Sequence, residues 1–107
     1  MIAKLVALQP EIARLCQQYG VRRLDVFGSA ATGDHDPLKS DFDFVIDFAD
    51  YGPGIGTRFI AFADALESLL GRSVDLVFDR SMKTRMRDFI EPQREVVFEA
   101  SDGSIAA

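Results

Sequence analysis

The chain has one cysteine, Cys16, in 107 residues, so it cannot form an internal disulfide bond. No apolar run approaches the roughly 18 residues that a membrane-spanning helix needs. The first residues, MIAKLVALQPEIARL, are interrupted by Pro10 and Glu11 and lack a small-residue cleavage site, so they do not predict a secretory signal. Together these absences predict a reducing, cytoplasmic compartment, in which Cys16 is a packed thiol and not a reactive one.

The chain also lacks an excess of basic residues, since its formal net charge is −5. Proteins that wrap nucleic acid are usually basic, so sequence-independent binding of DNA or RNA is disfavoured. With 48% hydrophobic and 27% charged residues, the composition is that of a globular protein with a real core. We expect one domain over residues 1–107, in which about 100–107 form a loose C-terminal tail.

The hydrophobic pattern predicts a small α/β (α+β) domain in which helices pack on one face of a β-sheet and leave the other face free. Pro10 is expected in the first turn of a second segment of the first helix, and Thr57 is expected to cap the second helix. Residues 28–40 are expected to form a turn and loop. The predicted helices are 2–19, 57–70 and 82–90, and the predicted strands are 21–27, 41–48, 73–79 and 95–100.

The segment DFDFVIDF alternates between apolar and acidic residues, as a half-buried strand does. Asp41 and Asp43 share its polar face, and Asp75 has the matching phase on a later strand. Carboxylates this close repel each other unless a cation lies between them, and hard oxygen ligands suit Mg²⁺ or Mn²⁺. Three aspartates on one open sheet face are the ligands that a two-metal phosphoryl or nucleotidyl transfer site needs.

Gly28 and Ser29 come at the end of a predicted strand, shortly before these aspartates. Glycine lets the backbone approach a ligand closely, and the hydroxyl and N–H of Ser29 are donors suited to phosphate oxygens. The pair therefore predicts a phosphate-binding turn beside the metal site.

Each of these features also has a simpler interpretation. Asp-x-Asp is common on ordinary strand surfaces, Gly-Ser is a common turn, and a Ca²⁺ loop is excluded because its central Gly and closing Glu are missing. His35 is interpreted as a surface residue, and the basic segment 80–94 as a solvated helix face, with partner docking or an ATP-facing edge as the alternative. The combination of the features, in order and in phase, favours a catalytic site.

These residues resemble the nucleotidyltransferase superfamily that includes DNA polymerase β and kanamycin nucleotidyltransferase. Its signature is Gly-Ser, about ten residues, Asp-x-Asp, and a third acidic residue on a later strand. Here Gly28-Ser29 is followed by eleven residues, then by Asp41-Phe-Asp43, and later by Asp75. Over roughly residues 12–99 the segments VRRLDVFGSAATG, SDFDFVIDF, LESLLGRSVDLV and REVVFE are similar to the minimal nucleotidyltransferase antitoxins.

The resemblance implies a polymerase β-like nucleotidyltransferase fold with no room for an added acceptor-binding domain. It also implies a type VII-like antitoxin that moves AMP from ATP onto a tyrosine of a HEPN-type RNase toxin encoded nearby. Asp41 and Asp43 would bind both metals, and Asp75 would bind the catalytic metal and help to deprotonate the acceptor hydroxyl. Gly28 and Ser29 would hold the β- and γ-phosphates. Neither a direct nucleic acid partner nor a membrane is expected.

One residue departs from the pattern, because relatives often have arginine where this chain has Thr32. The loss removes a possible bidentate phosphate contact, which Arg22, Arg23 or Lys39 could replace. A second hypothesis therefore stands beside the enzyme: a catalytically weak or inactive module of the same fold that neutralises the toxin by direct contact, aided by its acidic surface. A two-metal nuclease is a third, less favoured interpretation, since it would leave the Gly-Ser turn without a role.

Overall fold

The computed structural model of the protein describes residues 1–101. The part of the predicted tail that follows Ser101 lies outside the described residues. Three longer helices, two short helical segments and four strands follow one another in this range. In chain order they are α1 (Ala3–Tyr19), β1 (Val21–Phe27), α2 (Ser29–Thr32), β2 (Phe42–Phe48), α3 (Ile55–Leu70), β3 (Val74–Phe78), a 3₁₀ turn (Asp79–Ser81), α4 (Thr84–Ile90) and β4 (Glu95–Glu99). None of the helices within residues 1–101 has the length and apolar character to cross a membrane.

The four strands form one mixed sheet in the order β3-β2-β1-β4. Strand β1 is antiparallel to both β2 and β4, whereas β2 and β3 are parallel. The antiparallel β1–β2 pair is joined through α2 and a loop, and the parallel β2–β3 pair is joined through helix α3, as a parallel connection requires. This confirms the predicted class, a small α/β domain built on a mixed sheet.

The main core lies on the sheet face covered by α1 and α3. The aromatic and aliphatic residues of β2 that were predicted to share a face are all buried there, and Cys16 of α1 is fully buried among them. Burying each large side chain contributes about 1.5–3 kcal/mol, so these residues fix the strand's phase and direct its acidic residues to the opposite face. The β2 side chains buried in this main core are Phe42, Phe44, Ile46 and Phe48, and those from the two helices include Leu5, Ile12, Phe62 and Leu66.

The opposite face of the sheet is not wholly free, which corrects the expectation from the sequence. Val45 of β2 is buried there with Met82 and Ile90, and Phe27 and Val77 pack around them. The segment that contains α4 therefore covers the middle of this face. The acidic residues at the start of β2 and β3 lie at one end of it, beside this smaller apolar cluster.

Two predicted helix boundaries were wrong. Pro10 lies inside α1, which is a single helix. Proline removes the N–H that would bond the carbonyl of Val6, but both residues are exposed, so water can bond that carbonyl. Helix α3 begins at Ile55, two residues before Thr57; it follows Gly54, and no side chain caps it. Residues 29–32, expected in a loop, form the short helix α2.

Candidate active site

Asp43 and Asp75 lie side by side on the two parallel strands, because β2 and β3 pair in a register that aligns them. The pKa of Asp43 is raised to about 6: burial is the largest cause, and the charge of Asp75, a hydrogen bond with Asp75 and the charge of Asp41 act in the same direction. We call these two side chains the carboxylate pair. The raised pKa indicates that the protein around the pair does not fully offset its negative charge.

Gly28 of the Gly28–Ser29 turn lies directly against Asp43 of the carboxylate pair. Phe27, the residue before the turn, pairs with Asp43 across the antiparallel strands. Gly28 has φ 72° and ψ −154°, and a Cβ atom built on it would lie 2.5 Å from the Oδ2 atom of Asp43. The position requires glycine both for its backbone conformation and for the space that the carboxylate occupies.

A side chain that follows α4 in the chain, Gln93, holds this turn in place. The backbone N–H of Gly28 donates to the Oε1 atom of Gln93 at 2.8 Å. The Nε2 atom of Gln93 donates in turn to the carbonyl of Phe89 at 3.0 Å. Gln93 thus ties the last turn of α4 to the residue that faces Asp43, a contact over 65 positions of sequence.

Asp41 lies just before β2, is exposed, and forms an ion pair with Arg72. The Nη2 atom of Arg72 is 3.5 Å from the Oδ1 atom of Asp41, and the Nε atom of Arg72 donates to the carbonyl of Ser40 at 3.1 Å. Arg72 follows α3. Its two contacts therefore hold the residues just before β2 next to the end of that helix.

The structure thus brings Asp43 and Asp75 together and places Asp41 near enough to raise the pKa of Asp43. Within residues 1–101, no three His, Cys, Asp or Glu side chains are already gathered as a ligand set for a metal ion. The chemistry of the donors nevertheless fits a hard divalent cation, since adjacent carboxylate oxygens that repel each other are what Mg²⁺ or Mn²⁺ would bind.

Sequence reasoning missed the role of three residues around this site: Arg72, Gln93 and His35. The Nδ1 atom of His35 lies 3.3 Å from the Oγ atom of Ser29, and its ring centroid is 4.7 Å from that of Phe42. His35 is therefore not the isolated surface histidine that was expected. The signal available in the sequence was its position six residues after Ser29, which is weak without the path of the loop.

Arg22 and Arg23, which the sequence offered as replacements for a guanidinium at Thr32, lie at the other end of β1. Arg22 pairs with Asp47 at 2.6 Å, and Arg23 binds the fully buried Asp25 through two hydrogen bonds of 3.0 Å. Arg94 binds Asp25 from the other side at 2.7 Å. These arginines are committed to ion pairs away from the Gly28–Ser29 turn.

The basic segment 80–94 contains both paired and exposed residues. Arg87 contacts Asp79 and Glu91, each at 3.4 Å, so it belongs to the same charge network as Arg94. Arg85 is exposed, as is Lys39 in the loop before β2. The solvated-face interpretation holds for Arg85, whereas Arg87 and Arg94 help to hold α4 on the sheet.

Comparison with known proteins gives consistent matches. A family profile described as "Nucleotidyltransferase domain" matches residues 12–100. The chain is 38% identical over 84 residues to the protein adenylyltransferase MntA of Thermococcus cleftensis, which covers 78% of this chain and 80% of that protein.

Solved structures agree in fold. A minimal nucleotidyltransferase superposes with a TM-score of 0.72 and 32% identity, covering 86% of this chain and 91% of that chain. A toxin–antitoxin structure with AMP-PNP superposes with a TM-score of 0.67 and 25% identity, covering 92% of this chain and 78% of that chain.

Proposed function

Because the chain belongs to the nucleotidyltransferase domain family, we propose that it is an antitoxin that transfers AMP from ATP to a tyrosine hydroxyl of a HEPN-type RNase toxin. The observation that carries this proposal is the carboxylate pair lying in register beneath the Gly28–Ser29 turn. Such a juxtaposition suits a triphosphate held beside charged oxygens that bind a metal. We further propose that the reaction takes place in the cytoplasm, where ATP is available.

We assign the parts of the site as follows. Gly28 and Ser29 would hold the β- and γ-phosphates, because the bare glycine lies against Asp43 and the next residue supplies a hydroxyl. Asp43 and Asp75 would hold the divalent cation, with Asp41, which now pairs with Arg72, as a further ligand. When bound, Mg²⁺ or Mn²⁺ supplies the positive charge that offsets the triphosphate and makes the acceptor hydroxyl more acidic.

At the α-phosphorus the reaction forms one bond and breaks one. The tyrosine oxygen attacks the α-phosphorus of ATP, the bond from that phosphorus to the bridging oxygen breaks, and pyrophosphate leaves with the electron pair. Asp75 is exposed on β3, the edge strand of the sheet, so an incoming hydroxyl can reach it and pass on its proton. The protein orients the phosphates and receives the proton, and it forms no covalent intermediate.

The test replaces Asp41 and Asp43 by asparagine together and measures label transfer from α-labelled ATP to the co-purified toxin. We expect transfer to be abolished while the fold is retained, because asparagine keeps the size of each side chain and removes its charge. The matched control replaces two exposed helix residues, Asp64→Asn and Asp88→Asn, with the same change in net charge. Undiminished label transfer by the Asp41/Asp43 variant would sink the proposal.

A contact-only antitoxin is the second candidate, favoured by one observation. Asp41 forms an ion pair with Arg72, and only Asp43 and Asp75 are aligned across the parallel strands. The mass of the co-expressed partner separates the two functions. Each transferred AMP adds about 329 Da to the toxin and a negative charge with it, whereas an unmodified toxin in a stable complex supports neutralisation by contact.

A further inference from the structure

His35 lies in the space between the Gly28–Ser29 turn and the start of β2. Its Nδ1 atom is 3.3 Å from Ser29 Oγ, and its ring packs on Phe42, the residue between Asp41 and Asp43. The loop after α2 therefore folds back and places an imidazole beside the turn and next to the strand that carries the acidic residues.

The contact with Ser29 leaves at least one hydrogen-bond donor unused. If Nδ1 accepts the serine proton, the other ring nitrogen carries an N–H that is free to donate. If Nδ1 carries the proton and donates to Ser29, the serine hydroxyl hydrogen is released for another acceptor. In each case the pair presents an O–H or N–H next to the turn, and an anionic oxygen is the acceptor that such a donor binds best.

Three arginines of the described chain are engaged elsewhere. Arg72 is bound to Asp41 and the Ser40 carbonyl, and Arg22 and Arg23 are paired at the far end of β1. Among the basic side chains of residues 1–101, it is His35 that contacts the hydroxyl of Ser29.

We propose that His35 is a phosphate-binding residue, which together with Ser29 donates a hydrogen bond to the outer phosphates of the bound nucleoside triphosphate. The proposal rests on the proposed function, in that it assumes that ATP binds at this turn. It makes the loop after α2 a part of the nucleotide site and not merely a connection.

The test compares equilibrium binding of AMP-PNP and of AMP, each with Mg²⁺, by calorimetry. In His35→Phe the ring can still pack on Phe42 but has no nitrogen, so the loop is kept and the donor is lost. We expect about tenfold weaker binding of AMP-PNP, unchanged binding of AMP and an unchanged melting temperature. The control Leu38→Ala, in the same loop at a side chain that is 83% exposed, should bind both nucleotides like the parent protein.

A second comparison uses Ser29→Ala alone and combined with His35→Phe. Because the two residues act as a pair, the double variant should bind AMP-PNP about as weakly as Ser29→Ala alone. Equal loss of AMP and AMP-PNP affinity in His35→Phe, or additive losses in the double variant, overturns the role of His35. If the parent protein binds AMP-PNP and His35→Phe binds it equally well, only this inference fails; if the parent binds neither nucleotide, the proposed function fails with it.

Discussion

Replacing Gly28 by alanine tests the closest contact in the site. At φ 72° and ψ −154° the backbone is in a region that is essentially restricted to glycine, which costs about 3 kcal/mol for another residue. The new Cβ atom would also lie 2.5 Å from Asp43 Oδ2, and moving that carboxylate adds about 1 kcal/mol. We expect a loss of about 4 kcal/mol in the free energy of unfolding, measured in urea, and loss of AMP transfer because Asp43 is displaced.

Two further variants separate the free-energy cost of the backbone conformation from that of the close contact with Asp43. Gly33→Ala is the matched control, because Gly33 also has positive φ, 96°, but nothing lies within 4 Å of its added Cβ; we expect it to cost about 1–2 kcal/mol. In Gly28→Ala with Asp43→Ala, the nearest atom of residue 43 is its Cβ at 3.6 Å, an ordinary contact. The double variant should therefore be about 1 kcal/mol more stable than the two single losses predict. The reasoning is refuted if Gly28→Ala costs no more than Gly33→Ala, or if the losses simply add.

Two other predictions concern charge. The raised pKa of Asp43 means that the folded state holds this proton more tightly than the unfolded state, so stability is fully present below about pH 4 and is lost as the pH rises through about 6. Because Asp43 is only half-buried, we expect this loss to be about 1 kcal/mol in metal-free protein and to be absent in Asp43→Asn, as urea unfolding in EDTA at pH 4.5 and 7.5 will show. Asp25→Ala leaves Arg23 and Arg94 without their buried partner and should cost about 3 kcal/mol, whereas Asp64→Ala, at an exposed acid, should cost almost nothing; equal melting temperatures would contradict this.

The sequence predicted the parts of the fold that depend on local pattern. The alternation along 42–48 correctly predicted that four apolar side chains of β2 lie in the core. The matching phase on β3 correctly predicted that Asp75 lies on the same face as Asp43. The predicted ends of the first two helices, at 19 and 70, are also correct, because Gly20 and Gly71 follow them and have positive φ. These features follow from periods of 2 and 3.6 residues, which can be read over short windows.

Contacts that depend on the path of the whole chain could not be predicted in this way. Gln93 reaches Gly28 across 65 positions, and Arg72 reaches Asp41 from the end of a helix whose docking depends on the entire core. Pro10 was assigned to a helix start because local rules disfavour proline inside helices. Packing on both sides of Pro10, by Leu5 and by Ile12 and Cys16, keeps α1 continuous in spite of it.

The burial of Cys16 has a practical consequence. Its side chain is fully buried, and burial raises the pKa of the thiol to about 12, so the folded protein offers almost no thiolate to an alkylating reagent. An alkylating reagent can therefore label Cys16 only when the core opens, and the labelling rate measures how often the core opens. Since any ligand of the folded state makes opening rarer by a factor set by its concentration and affinity, the slowing of Cys16 labelling by ATP or by a partner reports their binding without an added probe. Cys16 of α1 is thus a built-in probe of core opening that is not one of the candidate site residues.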